Sequence, residues 1–105
     1  MIIKKLTLLM CLSFSVFLQA QTTSIEGRIF DGESGRPLPF VTVSFKGESI
    51  GTTTNTEGYY ELSTEKRVSR ISISFLGHVS QSISIQKGVH QKIDIALEPK
   101  KIEFG

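Results

Sequence analysis

Four residue types are scarce in this sequence: there is one cysteine (Cys11), no tryptophan, three prolines and two histidines (His78 and His90). A lone thiol cannot close an intrachain disulfide. One cysteine and two distant histidines also fall short of the three or four closely spaced ligands of a protein zinc site. Charge of one sign is lacking as well, with 12 Lys/Arg against 10 Asp/Glu. Lys4 and Lys5 are the only charges before Gln21, so the body of the chain is neutral. That excludes the basic balance of a nucleic-acid-binding domain and the polybasic patch of a peripheral membrane protein. No uncharged apolar run reaches the roughly 20 residues that span a bilayer as a helix. After Gln21 helix formers are few, with a single alanine (Ala96) and four leucines.

What is present begins with a leader. Lys4 and Lys5 form a positive head, Leu6 to Leu18 an apolar run, and Leu18-Gln19-Ala20 a cleavage-site pattern. This three-part layout is that of a secretory signal peptide over residues 1–20. Cys11 lies inside the apolar run behind Met10, where a lipoprotein anchor would need a small residue, and so reads as part of the leader. The mature chain then carries no cysteine and no transmembrane segment, and export to the periplasm or outer membrane is expected. Its 85 residues must be held by their core, without disulfides.

From Gln21 onward there are fifteen Ile/Val and eight Thr, residues that lose side-chain freedom in helices and suit pleated strands. Ile25-Glu26-Gly27-Arg28-Ile29, Val41-Thr42-Val43-Ser44-Phe45, Ile71-Ser72-Ile73-Ser74-Phe75, Ile83-Ser84-Ile85 and Ile93-Asp94-Ile95-Ala96-Leu97 alternate with a period of two. Such alternation puts apolar side chains on one face and polar ones on the other. Turn residues fall between the runs: Asp31 to Pro37, Asn55-Thr56-Glu57-Gly58, Gly77 and Lys87-Gly88. Seven strands are predicted, at 24–31, 40–46, 51–54, 58–63, 70–76, 80–86 and 92–97, packed as a seven-stranded antiparallel β-sandwich. The expected core is Ile25, Ile29, Leu38, Val41, Val43, Phe45, Tyr60, Leu62, Ile71, Ile73, Phe75, Ile83, Ile85, Ile93, Ile95 and Leu97.

Three stretches carry a family resemblance. Ile25 to Asp31 with Ser34-Gly35-Arg36-Pro37-Leu38-Pro39-Phe40-Val41-Thr42-Val43 resembles the opening of the carboxypeptidase regulatory-like domain. Ile50-Gly51-Thr52-Thr53-Thr54-Asn55-Thr56-Glu57-Gly58-Tyr59-Tyr60-Glu61-Leu62 resembles its second signature. Ile71 to His78 resembles the third, in which an aromatic usually stands where His78 does. The resemblance implies a transthyretin-like sandwich that is not itself a peptidase. It also implies a place ahead of the plug of TonB-dependent outer-membrane receptors, which import glycans and other nutrients. On it, Gly27, Asp31, Gly35, Pro37, Leu38, Pro39, Gly51, Thr54, Asn55, Gly58, Tyr60 and Gly77 are structural signature positions. The domain is taken as residues 21–98, and residues 99–105 as a tail approaching the segment where an energy-transducing partner docks.

Chemistry is hard to find in the residues. A serine nucleophile needs a positioned histidine and an orienting acid, and both histidines fall beside turns, where solvated surface is the expectation. Asp31 with Glu33, and Asn55 with Glu57, lack the repeated oxygen ligands of a calcium loop and read as turn residues. Lys66, Arg67 and Arg70 read as a solvated edge. No catalytic residue, cofactor or metal site is expected. Tyr59 and Tyr60 must point to opposite faces of a strand; with Tyr60 in the core, Tyr59 becomes a binding-surface candidate, as does Phe104 in the tail. The expected function is a non-enzymatic exported module that spaces or recognises, with an envelope protein or the TonB-dependent transport machinery as partner. The alternative is a free-standing envelope protein that binds glycan or protein through its sheet surface.

Overall fold

The computed structural model describes residues 21–101, so the expected leader and Phe104 lie outside the described residues. Within them there are eight strands: β1 (Thr23–Asp31), β2 (Thr42–Phe45), β3 (Gly51–Thr53), β4 (Tyr59–Thr64), β5 (Arg70–Ser74), β6 (Gln81–Ser84), β7 (His90–Lys92) and β8 (Ile95–Leu97). They form two sheets. One runs β4-β1-β7 with β8 also on β1, and the other runs β3-β2-β5-β6. The protein is an all-β sandwich, as the alternating runs predict.

Two features depart from the expected seven-stranded antiparallel arrangement. The second sheet is antiparallel throughout, and so is the β1–β4 pair, but β7 and β8 lie parallel to β1. The expected strand 92–97 is also split between β7 and β8. The split has a local cause. The N–H of Ile93 donates to the Glu26 carbonyl, but the next donor on β1, the Arg28 N–H, goes to the Asp94 side chain at 2.9 Å. The Ile93 carbonyl instead accepts the Tyr60 hydroxyl at 2.6 Å. Gly27 makes room for this, since a Cβ there would stand 2.0 Å from the Ile93 oxygen. The ladder is interrupted for two residues while its register is kept on both sides.

The strand expected from residue 40 begins at Thr42. Phe40 takes a φ of 63°, an uncommon backbone for a bulky residue. Buried Thr54 holds this bend: its hydroxyl donates to the Leu38 carbonyl at 2.6 Å and accepts the Val41 N–H at 2.9 Å. Its own N–H and carbonyl bond Val41 and Phe40.

Between the sheets lie Ile25, Ile29, Val41, Val43, Phe45, Tyr60, Leu62, Ile71, Ile73, Ile95 and Leu97, all expected, and Val68, which was not. Each large apolar side chain so buried stabilises the fold by roughly 1.5–3 kcal/mol. Val68 sits in the loop before β5 without an alternating pattern to reveal it. Leu38, Phe75, Ile83, Ile85 and Ile93 are half-buried, packing at the margin of the core rather than inside it.

One side of the sandwich is closed by glutamines. Gln81 Nε2 donates to the Ala96 carbonyl at 2.8 Å. Gln91 donates to the Gln86 carbonyl at 2.8 Å and accepts the Gln86 N–H at 3.1 Å. Side-chain amides thus occupy backbone groups that an open sheet edge would offer to another chain.

Candidate interaction surfaces

The outer face of the β4-β1-β7 sheet is built by strand alternation alone. Registers place Ser63, Ser24 and His90 in one row and Glu61, Glu26 and Lys92 in the next. Tyr59 stands opposite Arg28 in the row after that. Tyr60 is buried and Tyr59 is 37% exposed, so the two tyrosines do face opposite ways. The Arg28 guanidinium carbon lies 5.0 Å from the centre of the Tyr59 ring, a cation–π contact. This contact covers part of the candidate ring. Arg28 lines one shallow hollow of about 310 Å3 with Phe30, Gly35, Pro37 and Glu57. Tyr59 lines another of about 300 Å3 with Thr52, Thr53, Asn55, Glu26 and Glu61. Hydroxyls, an amide, carboxylates and the exposed ring of Tyr59 suit reversible hydrogen bonding and stacking.

Sequence reasoning missed one constellation on this face. Ser24 Oγ lies 2.7 Å from His90 Nδ1, and His90 Nε2 lies 3.4 Å from Glu26 Oε1. The order hydroxyl, imidazole, carboxylate is that of a hydrolytic triad. Its surroundings differ from one. The His90 side chain is 58% exposed, so water competes for each contact. Neither hollow on this face includes Ser24 or His90. The Ser24 N–H donates to the Val89 carbonyl and is not turned toward its own hydroxyl's side of the strand as a free donor.

His78 is the clearest correction. Expected on solvated surface, its side chain is only 12% exposed, and its Nε2 meets Asp31 Oδ2 at 2.8 Å. Nδ1 faces the Leu76 carbonyl at 3.1 Å. Both ring nitrogens therefore face acceptors, which only the doubly protonated imidazolium satisfies. The Asp31 hydrogen bond, then the Leu76 carbonyl, raise the His78 pKa above its ordinary value. In return, the His78 bond, helped by the Ser34 and Glu33 amides, holds the Asp31 carboxyl down to about 2. Those two amides donate to Asp31 Oδ1, making the turn expected of that residue. The His78 ring also packs against Phe75, centroid to centroid 5.3 Å. Asp31 and His78 thus tie the turn after β1 to the turn after β5, where His78 bridges Pro99 and the Lys100 N–H donates to the Gly77 carbonyl.

The remaining positions named by the resemblance lie mostly in turns and at strand ends. Asn55 Oδ1 accepts the N–H groups of Glu57 and Tyr59, closing the turn into β4. Gly58 completes it at φ 80°, and a side chain there would meet the Ile29 carbonyl. Pro37 bridges Phe30, Pro39 precedes the Phe40 bend, Gly35 lies in the Asp31 turn, and Gly51 opens β3 against Ser44. Burial raises the Tyr60 hydroxyl pKa, with the nearby Asp94 charge adding to it, so the Ile93 bond is made by a neutral phenol. Among the described residues no three His, Cys, Asp or Glu side chains converge as a metal site would require. No described helix is long and apolar enough to cross a membrane.

The sequence model of the CarboxypepD_reg-like domain matches residues 25–104. A TonB-dependent receptor of Formosa agariphila is 26% identical over 102 residues, which is 97% of this chain and 10% of the receptor. A second receptor of that organism is 31% identical over 80 residues, 72% of this chain and 8% of the receptor. The chain therefore spans about a tenth of the length of these curated relatives. In fold, it is similar to the Klebsiella pneumoniae 5-hydroxyisourate hydrolase, with a TM-score of 0.50, 21% identity and coverage of 74% of this chain and 92% of that one.

Proposed function

We propose that this chain, which belongs to the CarboxypepD_reg-like domain family over residues 25–104, serves as a non-enzymatic interaction and spacer module of the cell envelope. Export by the leader at residues 1–20 delivers it to the periplasmic side of the outer membrane. There it takes the part that the equivalent tenth of a TonB-dependent receptor takes, a rigid body ahead of the transport machinery. The observation that carries this reading is the receptor similarity, which extends over 97% of the chain while touching 10% of the receptor. The fold suits the role. Its strands are short, its core is largely apolar, and its polar faces present hydrogen-bonding groups at fixed spacing.

A second reading rests on the Arg28–Tyr59 pair and the polar hollow beside it. It is a free-standing envelope protein that binds a glycan or a protein on that outer face.

The test is the intact mass and membrane fraction of the native product in the source cells. A large outer-membrane protein carrying this sequence supports the receptor role. A free species of residues 21–105 in the soluble envelope fraction overturns it in favour of the second reading. Glycan binding weakened by Tyr59→Ala would then identify the face.

A further inference from the structure

The two sides of the sandwich are finished differently. Where β6 lies beside β7 and β8, side chains occupy the backbone. Gln91 takes the N–H and carbonyl of Gln86, Gln81 takes the Ala96 carbonyl, and Arg70 Nη2 takes the Ser82 carbonyl at 3.2 Å. On the other side β4 ends one sheet and β3 ends the other. The ladder fixes which β4 groups face outward. The Ile29 N–H donates to the Gly58 carbonyl, and the register carries that pairing on to Tyr60, Leu62 and Thr64, which turn their backbone toward β1. Tyr59, Glu61 and Ser63 turn theirs away. Asn55 satisfies Tyr59, accepting its N–H on Oδ1 and giving its own N–H to the Tyr59 carbonyl. Among the described residues nothing bonds the N–H or carbonyl of Glu61 and Ser63.

Charge is uneven at the same place. Glu61 stands directly opposite Glu26, and like charges so placed repel. Glu26 has its compensation further in, with Lys92 opposite it on β7 and His90 Nε2 at 3.4 Å. Glu61 is at the edge, and among the described residues it forms no ion pair. The nearby cations are engaged elsewhere: Arg28 lies over Tyr59, and Lys66 pairs with Glu48. The hollow of about 300 Å3 lies along this edge, with Thr52 and Thr53 of β3 on its wall together with Glu61 and Glu26.

We infer that β4 accepts an extended protein segment as an added strand, one that alternates Lys or Arg with uncharged strand-forming residues. Its backbone pairs with Glu61 and Ser63, so that main-chain hydrogen bonds supply affinity and alternate side chains supply selectivity. Its cations stand beside Glu61 and Glu26, and the residues between them turn toward Thr52 and Thr53. A second copy of this chain fits badly, because pairing β4 with β4 sets two copies of Glu61 close together. The inference rests on the interaction-module reading and gives that module's partner a chemistry. The edge is the same in a receptor and in a free protein, so its test can fail while the mass experiment stands, and the reverse.

The probe is an end-blocked peptide, Thr-Lys-Val-Lys-Val-Lys-Thr, added to the full chain and followed by amide hydrogen exchange in NMR spectra. The Glu61 and Ser63 amides are expected to exchange fast in the free chain and severalfold more slowly with saturating peptide. Tyr60 and Leu62 should stay protected throughout, which verifies folding. The same peptide with Glu for Lys should bind severalfold more weakly, and Glu61→Lys should reverse that preference. Methylating every backbone nitrogen of the lysine peptide should abolish binding. Slow exchange at Glu61 and Ser63 in the free chain overturns the inference, because the edge is then already covered. A lysine peptide that leaves both amides unchanged overturns it too. So does binding that survives methylation, which assigns the contact to charge alone, or a preference that Glu61→Lys leaves unaltered.

Discussion

His78 Nε2 stands 2.8 Å from Asp31 Oδ2 and joins two turns that lie 47 positions apart in sequence. The pair is partly shielded from water, and each partner shifts the other toward its charged form. It ties the end of β1 to the Gly77–His78 turn, and His78 bridges Pro99. Its titration sets the first expectation.

Stability should follow pH with two separate edges. The folded Asp31 pKa is depressed, so its contribution is complete above the unfolded carboxyl value, about 3.9, and is lost as pH falls through about 2. The folded His78 pKa is raised, so its contribution is complete below about 6.5 and is lost as pH rises through the folded value. Urea midpoints should therefore decline on the alkaline side of about pH 6.5, and His78→Gln should flatten that decline. Identical midpoint profiles for both proteins between about pH 5.5 and 9 would sink the idea.

Tyr60→Phe removes the hydroxyl that donates to the Ile93 carbonyl while keeping the ring in the core. A loss of roughly 1–2 kcal/mol in unfolding free energy is expected. Gly27→Ala should cost about 3 kcal/mol or more, because a β-carbon would press on backbone rather than on a movable side chain. Chemical denaturation of both variants checks the ranking, and an equal or reversed order would contradict the account of the split between β7 and β8.

Thr54→Val keeps shape but leaves the Leu38 carbonyl and the Val41 N–H without the hydroxyl that serves both. Each buried group left unpaired costs roughly 1–3 kcal/mol, so a total of about 2–6 kcal/mol is expected. Thr54→Ser should recover most of it. A serine as damaging as valine would show that packing of the methyl, and not the hydroxyl clamp, matters.

The double change Gln81→Ala/Gln91→Ala should alter stability by only about 1 kcal/mol yet promote self-association. It exposes the Ala96 and Gln86 backbone groups that those side chains occupy. Light scattering against concentration reads this directly. A variant as monomeric as the parent would mean the glutamines do not guard the edge.

The Ser24–His90–Glu26 cluster should hydrolyse p-nitrophenyl acetate no faster than exposed histidine does. The His90 side chain is 58% exposed, so the cluster lacks the desolvation that makes a triad reactive. A rate well above that background, abolished by Ser24→Ala, would restore an enzymatic reading.

The all-β class, most of the core and the opposite facing of Tyr59 and Tyr60 were legible in the alternation of Ile and Val with Ser and Thr. That period of two is local, and burial on one face follows from it directly. The turn chemistry of Asp31, Asn55 and Gly58 was legible for the same reason, since each acts on neighbours a few residues away. Three things were not local and appeared only in the folded chain. The parallel placement of β7 and β8 depends on which strand edge remains free after β1 pairs with β4. The outward turn of Phe40 depends on Thr54, fourteen positions later. The shielding of His78 depends on Asp31, which periodicity places at a strand end and never beside an imidazole. Side-chain alternation decides which face is dry; only packing of the two sheets decides which polar groups meet.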